Sequence, residues 1–311
     1  MIGWEMAGKG LGDRFTTLWG NIHTVEEKWS KSASRLKAKL YKNTRIPAYL
    51  LTDETKVIEA IDHMTSQKGG FLQGYTNALH ALALYAQKHD IQFEPKFDGV
   101  LTTAETLFPH QRKTMEEVFG PVYDGYGSQE IMGIAFQCQE RNGYHVVDPN
   151  VIFETIDFTG DIKEIVVTDL WNYAWPLIRY QVGDLTSGEI SYCPCGCTWR
   201  AVKHIEGRTS DVVTTPNGGL LHLAGFAAGN FYHYLDFIDQ FQFAKVAPNK
   251  VVLRLLIREN QSIDLDKMKS SLEPFYRNIS MELDIVKVEN FEFGKSGKHK
   301  MLVDETLDSD S

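Results

Sequence analysis

Four cysteines and a histidine occupy two short segments of the 311-residue sequence, and their types and spacing suit a metal ion. Cys138 and His145 stand seven residues apart, and Cys193, Cys195 and Cys197 lie within five residues. Zinc is bound by thiolate and imidazole ligands, and a site with four of them and no open position is structural. We therefore predict a structural Zn²⁺ site. Its ligands are Cys138, His145, Cys193 and Cys195. The alternative is a set of reduced cysteines in loops that bind no metal.

A turn just before the first of these ligands combines residues that can bind a small molecule and a cation. It is the segment GYGSQE at positions 125–130. Gly125 and Gly127 let the backbone approach a ligand closely, and Tyr126 offers a ring face for stacking. Glu130 offers oxygen ligands of the kind that Mg²⁺ prefers. The alternative is a glycine-rich turn with a packed tyrosine and a solvated glutamate.

A second turn, in the segment TTAETL at positions 102–107, follows a strand-like run in the region 91–105. The 125–130 turn likewise follows a short strand pattern, PVYDGYG. Turns at strand ends gather at the carboxyl edge of an α/β sheet, where ligands bind. We therefore expect the two turns to lie at one edge of one sheet.

Three charged residues further along the chain stand where they can meet a phosphorylated ligand. Asp184 follows a glycine at the end of the run PLIRYQVGDL, and a carboxylate there can accept the hydroxyls of a ribose. Arg208 lies in the segment IEGRTSDVV, which is predicted to be a hinge. Lys298 lies in the glycine-flanked loop FGKSGKHKML and can reach a phosphate as a point charge. The alternatives are an aspartate in an ordinary turn, an arginine in a linker and a lysine in a solvated loop.

The elements that must position these residues are predicted to be mostly helical at the start of the chain. A capping box at Thr24 and Glu27 precedes a run with apolar residues at helical spacing. Further helices are predicted at 54–66, at 75–89 and between Pro109 and Gly120.

Strand patterns prevail from about residue 144, where β-branched and alternating segments are broken by turn residues. After about residue 208, two strand patterns bracket a helix, which predicts a small α+β domain. The predicted fold class is therefore α/β, with a large domain at 1–206 and a small, mobile α+β domain at 207–311. The acidic tail DETLDSDS is predicted to be disordered.

The composition excludes some classes of function. A formal net charge of −9 argues against a general nucleic-acid binder, because phosphate contacts need clustered lysines and arginines. No run reaches the length of about 18 apolar residues that a membrane span needs, and the first residues lack the apolar stretch of a signal peptide. The cytoplasm is therefore the expected location.

Taken in their order along the chain, these segments resemble the adenylate-forming superfamily. The resemblance is greatest to its branch of phenylacetate–CoA ligases and capsular-biosynthesis (CapK-like) ligases, and it runs from about Gly3 to Met301. The segments that carry it are DGYGSQE, EIVVTDL with PLIRYQVGD, CPCG, EGRTSD and SGK. The implied fold is a large AMP-binding α/β domain followed by a small mobile C-terminal domain.

The resemblance implies that the two turns bind a nucleotide. Under it Tyr126 stacks on adenine, and Ala104 and Glu105 line the adenine pocket. Asp184 holds the ribose, and Arg208 contacts ribose and phosphate near the hinge. The other implied nucleotide-binding residues are Gly127, Ser128 and Gln129.

The resemblance also implies an acid–thiol ligase. In that reaction a carboxylic acid attacks ATP to form an acyl adenylate, and the acyl group then passes to coenzyme A. Glu130 is implied to bind Mg²⁺, and Lys298 to bridge the substrate carboxylate and the α-phosphate. A cation and a metal ion are needed because the attack brings anions together. The implied partners are a small aryl or acyl carboxylic acid, ATP, AMP and coenzyme A, with no nucleic acid and no membrane. The identity of the acid and the formation of a homodimer are left open.

The sequence departs from the family in a respect that matters for catalysis. The family carries a Ser/Thr/Gly-rich triphosphate loop upstream of these segments, and the 311 residues hold no equivalent. The large domain is therefore expected to lack its N-terminal part. Gln129 replaces a hydroxyl residue of the family pattern, and Ser210 stands where the hinge usually carries an acid. Cys197 is expected to be spare, since arginine is frequent there in the branch.

Two alternatives to an active ligase stay open for this reason. One is a truncated or non-catalytic nucleotide-binding homologue that needs another chain to supply the triphosphate loop. The other is a zinc-stabilised binding module without nucleotide chemistry.

Overall fold

The computed structural model describes most of the chain. The described residues are 2–8, 10, 12–19, 43–47, 54–217, 220–223, 226, 231–291 and 300–306. The helix predicted after Thr24, the basic loop with Lys298 and the last residues of the acidic tail lie outside them. Among the described helices, none combines the length and the apolar character that crossing a membrane requires.

The chain divides into two compact units. The first comprises Met1–Asp157, Asp161–Val182 and Thr186–Ile205. The second comprises Phe158–Gly160, Gly183–Leu185 and Glu206–Ser311.

The first unit begins with parallel strands connected by helices. Its elements are α1 (Ile2–Met6), β1 (Phe15–Trp19), β2 (Asn43–Pro47), α2 (Glu54–Ser66), β3 (Phe71–Tyr75), α3 (Thr76–Lys88), β4 (Gly99–Thr103), α4 (Pro109–Val118) and β5 (Val122–Tyr126). The strands pair in parallel in the order β2-β1-β3-β4-β5. Parallel neighbours need a crossover, which α2, α3 and α4 supply between successive strands. Apolar side chains of strands and helices share one core, with Leu18, Leu72, Leu79 and Val100 completely buried.

The helix predictions in this region are confirmed. Helix α2 has the predicted bounds, and α3 differs by one residue at each end. Helix α4 begins at Pro109 and ends before Gly120, whose φ is +120°. The prediction of a mostly helical start is wrong at β1 and β2, which are strands. Five-residue strands are too short to show a clear sequence period, so their pattern does not stand out.

Antiparallel strands extend the same sheet. They are β6 (Ala135–Gln137), β7 (Tyr144–Val146), β8 (Val151–Thr159), β9 (Ile162–Asp169), β10 (Tyr180–Tyr192) and β11 (Arg200–Arg208). Their order continues as β5-β6-β7-β11-β10-β9-β8, so the sheet has eleven strands within the described residues. The series of strands predicted from residue 144 onwards is therefore confirmed. A second core cluster lies here, with Ile134, Val146, Ile165 and Val167 completely buried.

The second unit contains a small α+β arrangement. Its elements are β12 (Val212–Thr214), β13 (Leu220–His222), β14 (Ile238–Ala247), β15 (Lys250–Ile257), α5 (Leu265–Asn278), β16 (Glu282–Lys287) and β17 (Leu302–Asp304), with 3-10 turns at Thr209–Asp211 and Tyr232–Phe237. Four strands form a sheet in the order β16-β15-β14-β17. The predicted β-α-β pattern is confirmed, because α5 connects the parallel pair β15 and β16. The Asp264 side chain caps α5 by accepting a hydrogen bond from the Lys267 backbone N–H.

Candidate functional site

The carboxyl ends of three parallel strands are aligned by their register. Tyr75 at the end of β3 pairs with Thr103 at the end of β4. Thr103 in turn pairs with Gly125 near the end of β5. The turn at Ala104–Glu105 and the turn at 125–130 therefore leave neighbouring strands at the same edge of the sheet, as the sequence predicts.

Glu105 is held in place by the start of helix α3. Its carboxylate accepts a hydrogen bond of 2.8 Å from the Asn77 backbone N–H, and its carbonyl accepts one of 3.1 Å from the Thr76 hydroxyl. The N-cap residue Tyr75 makes no capping bond with its own side chain, so Glu105 supplies the cap from the next strand end. Its negative charge also suits the positive end of the helix dipole. Ala104 precedes it with a φ of +71°, a left-handed conformation that is uncommon for alanine.

The turn after β5 is tight and depends on glycine at position 127. A Cβ atom there would lie 2.7 Å from the backbone nitrogen of Gly133, closer than real Cβ contacts. The Ser128 hydroxyl accepts a hydrogen bond of 3.1 Å from the Ile131 backbone N–H. The Tyr126 carbonyl accepts one of 2.9 Å from the Ile134 backbone N–H. The backbone of the turn is therefore fixed by its own hydrogen bonds.

The side chains of this turn differ in their exposure. Tyr126 is half-buried and packs against the second core cluster. Gln129 and Glu130 are exposed. An exposed carboxylate at the end of a fixed turn is accessible to a cation, which supports the role predicted for Glu130.

A buried carboxylate that was not among the predicted site residues lies beneath the turn. The Asp124 side chain accepts hydrogen bonds from the Thr102 hydroxyl at 2.7 Å and the Tyr144 hydroxyl at 2.8 Å. Its backbone N–H donates to the Gln137 side-chain oxygen at 3.1 Å. Burial raises the pKa of Asp124 to about 6, although both hydroxyl donors act to lower it. An acidic residue inside an apolar strand pattern is the signal that points to such a site.

Arg112 supports the same buried network from helix α4. Its guanidinium donates to the Gln137 side-chain oxygen at 2.7 Å and also to the Val122 carbonyl. Burial lowers the pKa of Arg112, and the nearby Asp124 carboxylate opposes that effect. The network thus joins β4, β5, β6, β7 and α4 directly below the 125–130 turn.

The four predicted metal ligands come together in the first unit. The ligand atoms of Cys138, His145, Cys193 and Cys195 all lie within 4.8 Å of one another. The sulfurs of Cys138 and Cys193 are 3.8 Å apart, and the Cys195 sulfur lies 3.4 Å from Nε2 of His145. Two sulfurs bound tetrahedrally at about 2.3 Å from zinc would be about 3.8 Å apart. The separation of the Cys138 and Cys193 sulfurs matches that spacing, so the cluster has the ligand types and the dimensions that suit a zinc ion.

Neighbouring groups orient these ligands as metal sites require. Nδ1–H of His145 donates a hydrogen bond of 3.3 Å to the Trp199 carbonyl, which leaves Nε2 facing the cysteines. The Cys197 backbone N–H donates to the Cys195 sulfur at 3.4 Å. Cys197 thus contributes its backbone, and its thiol is not part of the cluster.

The thiols themselves differ in acidity. Burial raises the pKa of the Cys138 thiol to about 12, so that a thiolate there needs a cation. Desolvation also raises the pKa of the Cys195 thiol. Hydrogen bonds from the Cys197 amide and from the neighbouring thiols outweigh this effect, so the pKa of the Cys195 thiol is lowered overall.

Asp184 and Arg208 are paired with each other in the second unit. The Arg208 Nε–H donates to the Asp184 carboxylate at 3.3 Å, and Asp184 is buried while the arginine side chain is largely exposed. Asp184 lies within β10 and not in a turn, and the Thr209 hydroxyl donates to the carbonyl of the preceding residue, Gly183, at 3.2 Å. Burial raises the pKa of the nearby Asp211 carboxyl, and its hydrogen bond from the Arg208 backbone N–H opposes the shift. Lys298 lies outside the described residues.

Comparison with known proteins gives two curated relatives. Protein CapK of Staphylococcus aureus is 27% identical over 200 residues, which are 63% of this chain and 43% of CapK. The phenylacetate-coenzyme A ligase of Thermus thermophilus is 29% identical over 184 residues, which are 55% of this chain and 38% of the ligase. The chain thus spans less than half the length of each relative. No protein-family model matches it.

Solved structures show the same fold over nearly the whole chain. The 2-hydroxyisobutyryl-CoA ligase in its postadenylation state, in complex with R3-HIB-AMP, superimposes with a TM-score of 0.75 at 17% identity. The match covers 98% of this chain and 68% of that ligase. The anthranilate CoA ligase AuaEII in complex with anthranoyl-AMP gives a TM-score of 0.62 at 11% identity, over 94% of this chain and 58% of AuaEII. The predicted α/β fold class is therefore confirmed.

Proposed function

Because the chain belongs to the adenylate-forming superfamily, in the branch of CapK and phenylacetate-coenzyme A ligase, we propose that it binds an adenosine nucleotide and activates a carboxylic acid. The product of the first step is an acyl adenylate, and the acyl group then passes to coenzyme A. One observation carries the proposal: the turn at Ala104–Glu105 and the turn at 125–130 leave neighbouring parallel strands at one sheet edge. Such an edge is where α/β sheets bind their ligands.

The proposed roles are those that the resemblance to the adenylate-forming superfamily implies, and the chemistry of each side chain suits its role. Tyr126 stacks on the adenine, and the backbone of Ala104 and Glu105 lines its edge. Asp184 accepts the ribose hydroxyls, and Arg208, now paired with it, turns to the phosphate. The turn is completed by Gly127, Ser128 and Gln129. The bond from Asn77 to Glu105 supports these roles, because it holds the first turn without using the ligand.

Charge is the main obstacle in the proposed reaction, since a carboxylate must approach a triphosphate. Glu130 would hold Mg²⁺, which supplies positive charge at the phosphates. Lys298 would pair with the substrate carboxylate and the α-phosphate. The exposure of Glu130 supports its part of this proposal.

Zinc has a separate, structural role in the proposal. The ligand atoms of the cluster lie within 4.8 Å of one another, which supports a bound ion, and four protein ligands would leave no open position for catalysis. The ion would tie the β6–β7 region, through Cys138 and His145, to the segment after β10. This region directly follows the 125–130 turn in the sequence.

The ribose role of Asp184 offers a direct test. Wild-type protein should bind AMP at least about fivefold more tightly than 2′,3′-dideoxy-AMP, because a buried carboxylate loses its hydroxyl partners in the second complex. Asp184→Asn should remove the preference. Asp239→Asn is a matched control, since Asp239 also accepts from an arginine Nε–H, at 3.2 Å from Arg258, in the second unit. Equal calorimetric affinities of wild type for AMP and dideoxy-AMP would refute the ribose role.

A second candidate function keeps the nucleotide site but not the complete reaction. It is a nucleotide-binding homologue in which these 311 residues do not by themselves complete the adenylation. The observation that favours it is the lack of a Ser/Thr/Gly-rich loop among the 311 residues. Adenylation and thioester formation, measured separately, distinguish the two candidates.

A further inference from the structure

The three thiols of the cluster of Cys138, His145, Cys193 and Cys195 differ in their access to solvent. Cys195 is exposed, whereas Cys138 and Cys193 are buried. The susceptibility of a cysteine to oxidation follows its exposure and its thiolate character. A small oxidant that diffuses to the cluster from solvent therefore meets the sulfur of Cys195 first.

A second thiol from a different segment lies within reach of Cys195. The ligand atoms all lie within 4.8 Å of one another, so the sulfurs of Cys138 and Cys193 are both inside that distance of the Cys195 sulfur. Only Pro194 separates Cys193 from Cys195, and a disulfide between these two would close a very small ring with a fixed proline φ. Cys138 has no such constraint. It is therefore the thiol that can form a disulfide with Cys195.

Strand pairing holds the two cysteine segments together without help from a metal ion. Cys138 directly follows β6, which pairs with β7. Strand β7 pairs in turn with β11, and Cys195 lies in the connection from β10 to β11. The sulfurs of Cys138 and Cys195 thus stay close to each other whether or not they share an ion.

The connection that carries Cys195 also leaves room for a change of side-chain conformation. Gly196 follows it with a φ of +86°, and apart from its chain neighbours no atom of the described residues lies within 4 Å of the place that a Cβ would take. The Cys195 side chain can therefore turn towards Cys138 without displacing packed neighbours of this glycine.

We propose that Cys195 and Cys138 form a redox switch, in which a peroxide converts the two thiolates into a disulfide and the cluster loses its metal ion. In the first step the Cys195 sulfur attacks hydrogen peroxide, the O–O bond breaks, and a sulfenic acid and hydroxide result. In the second step the Cys138 thiolate attacks that sulfur, an S–S bond forms, and a second hydroxide leaves. Two protons turn both hydroxides into water. The two sulfurs together lose two electrons, which the peroxide gains.

The disulfide removes two of the four metal ligands. Cys193 and His145 remain, and two protein ligands do not complete a tetrahedral structural site. A dithiol reductant regenerates both thiols by exchange, after which the site can bind its ion again. The inference rests on the cluster alone, and it does not depend on the proposed nucleotide site.

Treatment of the zinc-loaded 311-residue chain with hydrogen peroxide tests the proposal. Wild-type protein should release about one ion per chain to a colorimetric chelator and lose about two free thiols over the same time course. Tandem mass spectrometry of a tryptic digest should find the peptide 114–141, which holds Cys138, joined to the peptide 180–200 through Cys195. Dithiothreitol and added zinc should restore the free thiols and the bound ion.

Cys197→Ser is the matched control, because the Cys197 thiol is not part of the cluster. It should release zinc and form the same disulfide at the rate of the wild type. Release of zinc without a link between Cys138 and Cys195, or a disulfide that includes Cys197, would overturn the inference.

Met132 provides an internal reference for the dose of oxidant, since it is 84% exposed and lies in the same tryptic peptide as Cys138. If the ion is retained after Met132 has become the sulfoxide, the cluster is not a switch. Wild-type protein that binds no zinc would remove the switch together with the zinc site. These measurements need no variant to fold.

Discussion

The backbone N–H of Asn77 donates a 2.8 Å hydrogen bond to the carboxylate of Glu105, so a strand-end turn caps a helix that starts on the neighbouring strand. The two residues are 28 positions apart in the sequence. Since Glu105 lines the proposed adenine pocket, the stability of helix α3 and the shape of the pocket depend on the same contact.

Replacing Glu105 should therefore lower the stability of the protein. Glu105→Ala removes the cap, and the free energy of unfolding should fall by about 1 kcal/mol. Glu105→Gln keeps an acceptor oxygen but loses the charge at the helix N-terminus, so it should cost about half as much. Urea unfolding followed by circular dichroism measures both. If Glu105→Gln lowers the free energy of unfolding as much as Glu105→Ala does, the result would contradict the capping geometry.

Zinc should be present in protein purified without a metal-affinity tag, at about one ion per chain by atomic emission. Cys193→Ser should lose the ion and lower the melting temperature, because the remaining ligands no longer complete the tetrahedron. Cys197→Ser is the control, since only the backbone of Cys197 contacts the cluster. It should retain the ion. Metal-free wild-type protein with an unchanged melting temperature would contradict the site.

The Asp124 carboxyl should make stability depend on pH. Its pKa is about 6 in the folded protein, against 3.8 for an unperturbed aspartate. A raised pKa in the folded state means that the folded state binds the proton more tightly. The contribution of the group is therefore full below about pH 4 and is lost as the pH rises through 6. The loss amounts to about 3 kcal/mol.

Asp124→Asn isolates this effect, because asparagine does not titrate in the range. Between about pH 3 and pH 8, the free energy of unfolding of the variant should rise relative to wild type by about 3 kcal/mol. Urea unfolding at several pH values gives the difference directly. Parallel stability curves for the two proteins would show that Asp124 has no raised pKa.

Removal of the side-chain hydroxyl should have opposite effects on protein stability at two tyrosines. Tyr276 is 1% exposed, and its hydroxyl has no hydrogen-bond partner among the described residues. Burial alone raises the pKa of Tyr276. Tyr276→Phe should be neutral or stabilise by about 1 kcal/mol, whereas Tyr144→Phe should destabilise by at least that amount because it strips a donor from Asp124. Thermal unfolding compares the two, and a destabilising Tyr276→Phe would reveal a partner for that hydroxyl.

The 311-residue chain alone should catalyse pyrophosphate exchange poorly. Backbone amides of a glycine-rich loop normally hold the outer phosphates, and a displacement of about 1 Å can cost about a hundredfold in rate. Thioester formation from a supplied acyl adenylate releases no pyrophosphate and should suffer less. The two half-reactions are assayed on one preparation. Robust exchange would mean that the loop is dispensable or replaced.

The sequence allowed prediction of elements whose signals are local. The helix between Pro109 and Gly120 has its start and stop residues within a few positions, and the predicted metal ligands Cys193 and Cys195 are close neighbours in the sequence. The bond from Tyr144 to Asp124 joins residues 20 positions apart, and the bond from Asn77 to Glu105 depends on strand order. Strand order is set by packing of the whole sheet, so no short pattern reveals it.

The same limit applies to the end of β1. Trp19 is an ordinary aromatic residue in the sequence, and only the pairing of β1 with β3 places it beside Tyr75. The roles of the site residues themselves stay predictions until the nucleotide and its analogues are tested.

The contact between Cys138 and Cys193 closes a loop of 55 residues. An ion that bridges them acts on the denatured chain as a cross-link does, since it forbids most of the conformations that the open loop would sample. For a covalent link around a loop of this length, that loss of freedom corresponds to roughly 4 kcal/mol. Cells short of zinc would then hold less of the folded protein, even though no atom of the proposed nucleotide site had changed.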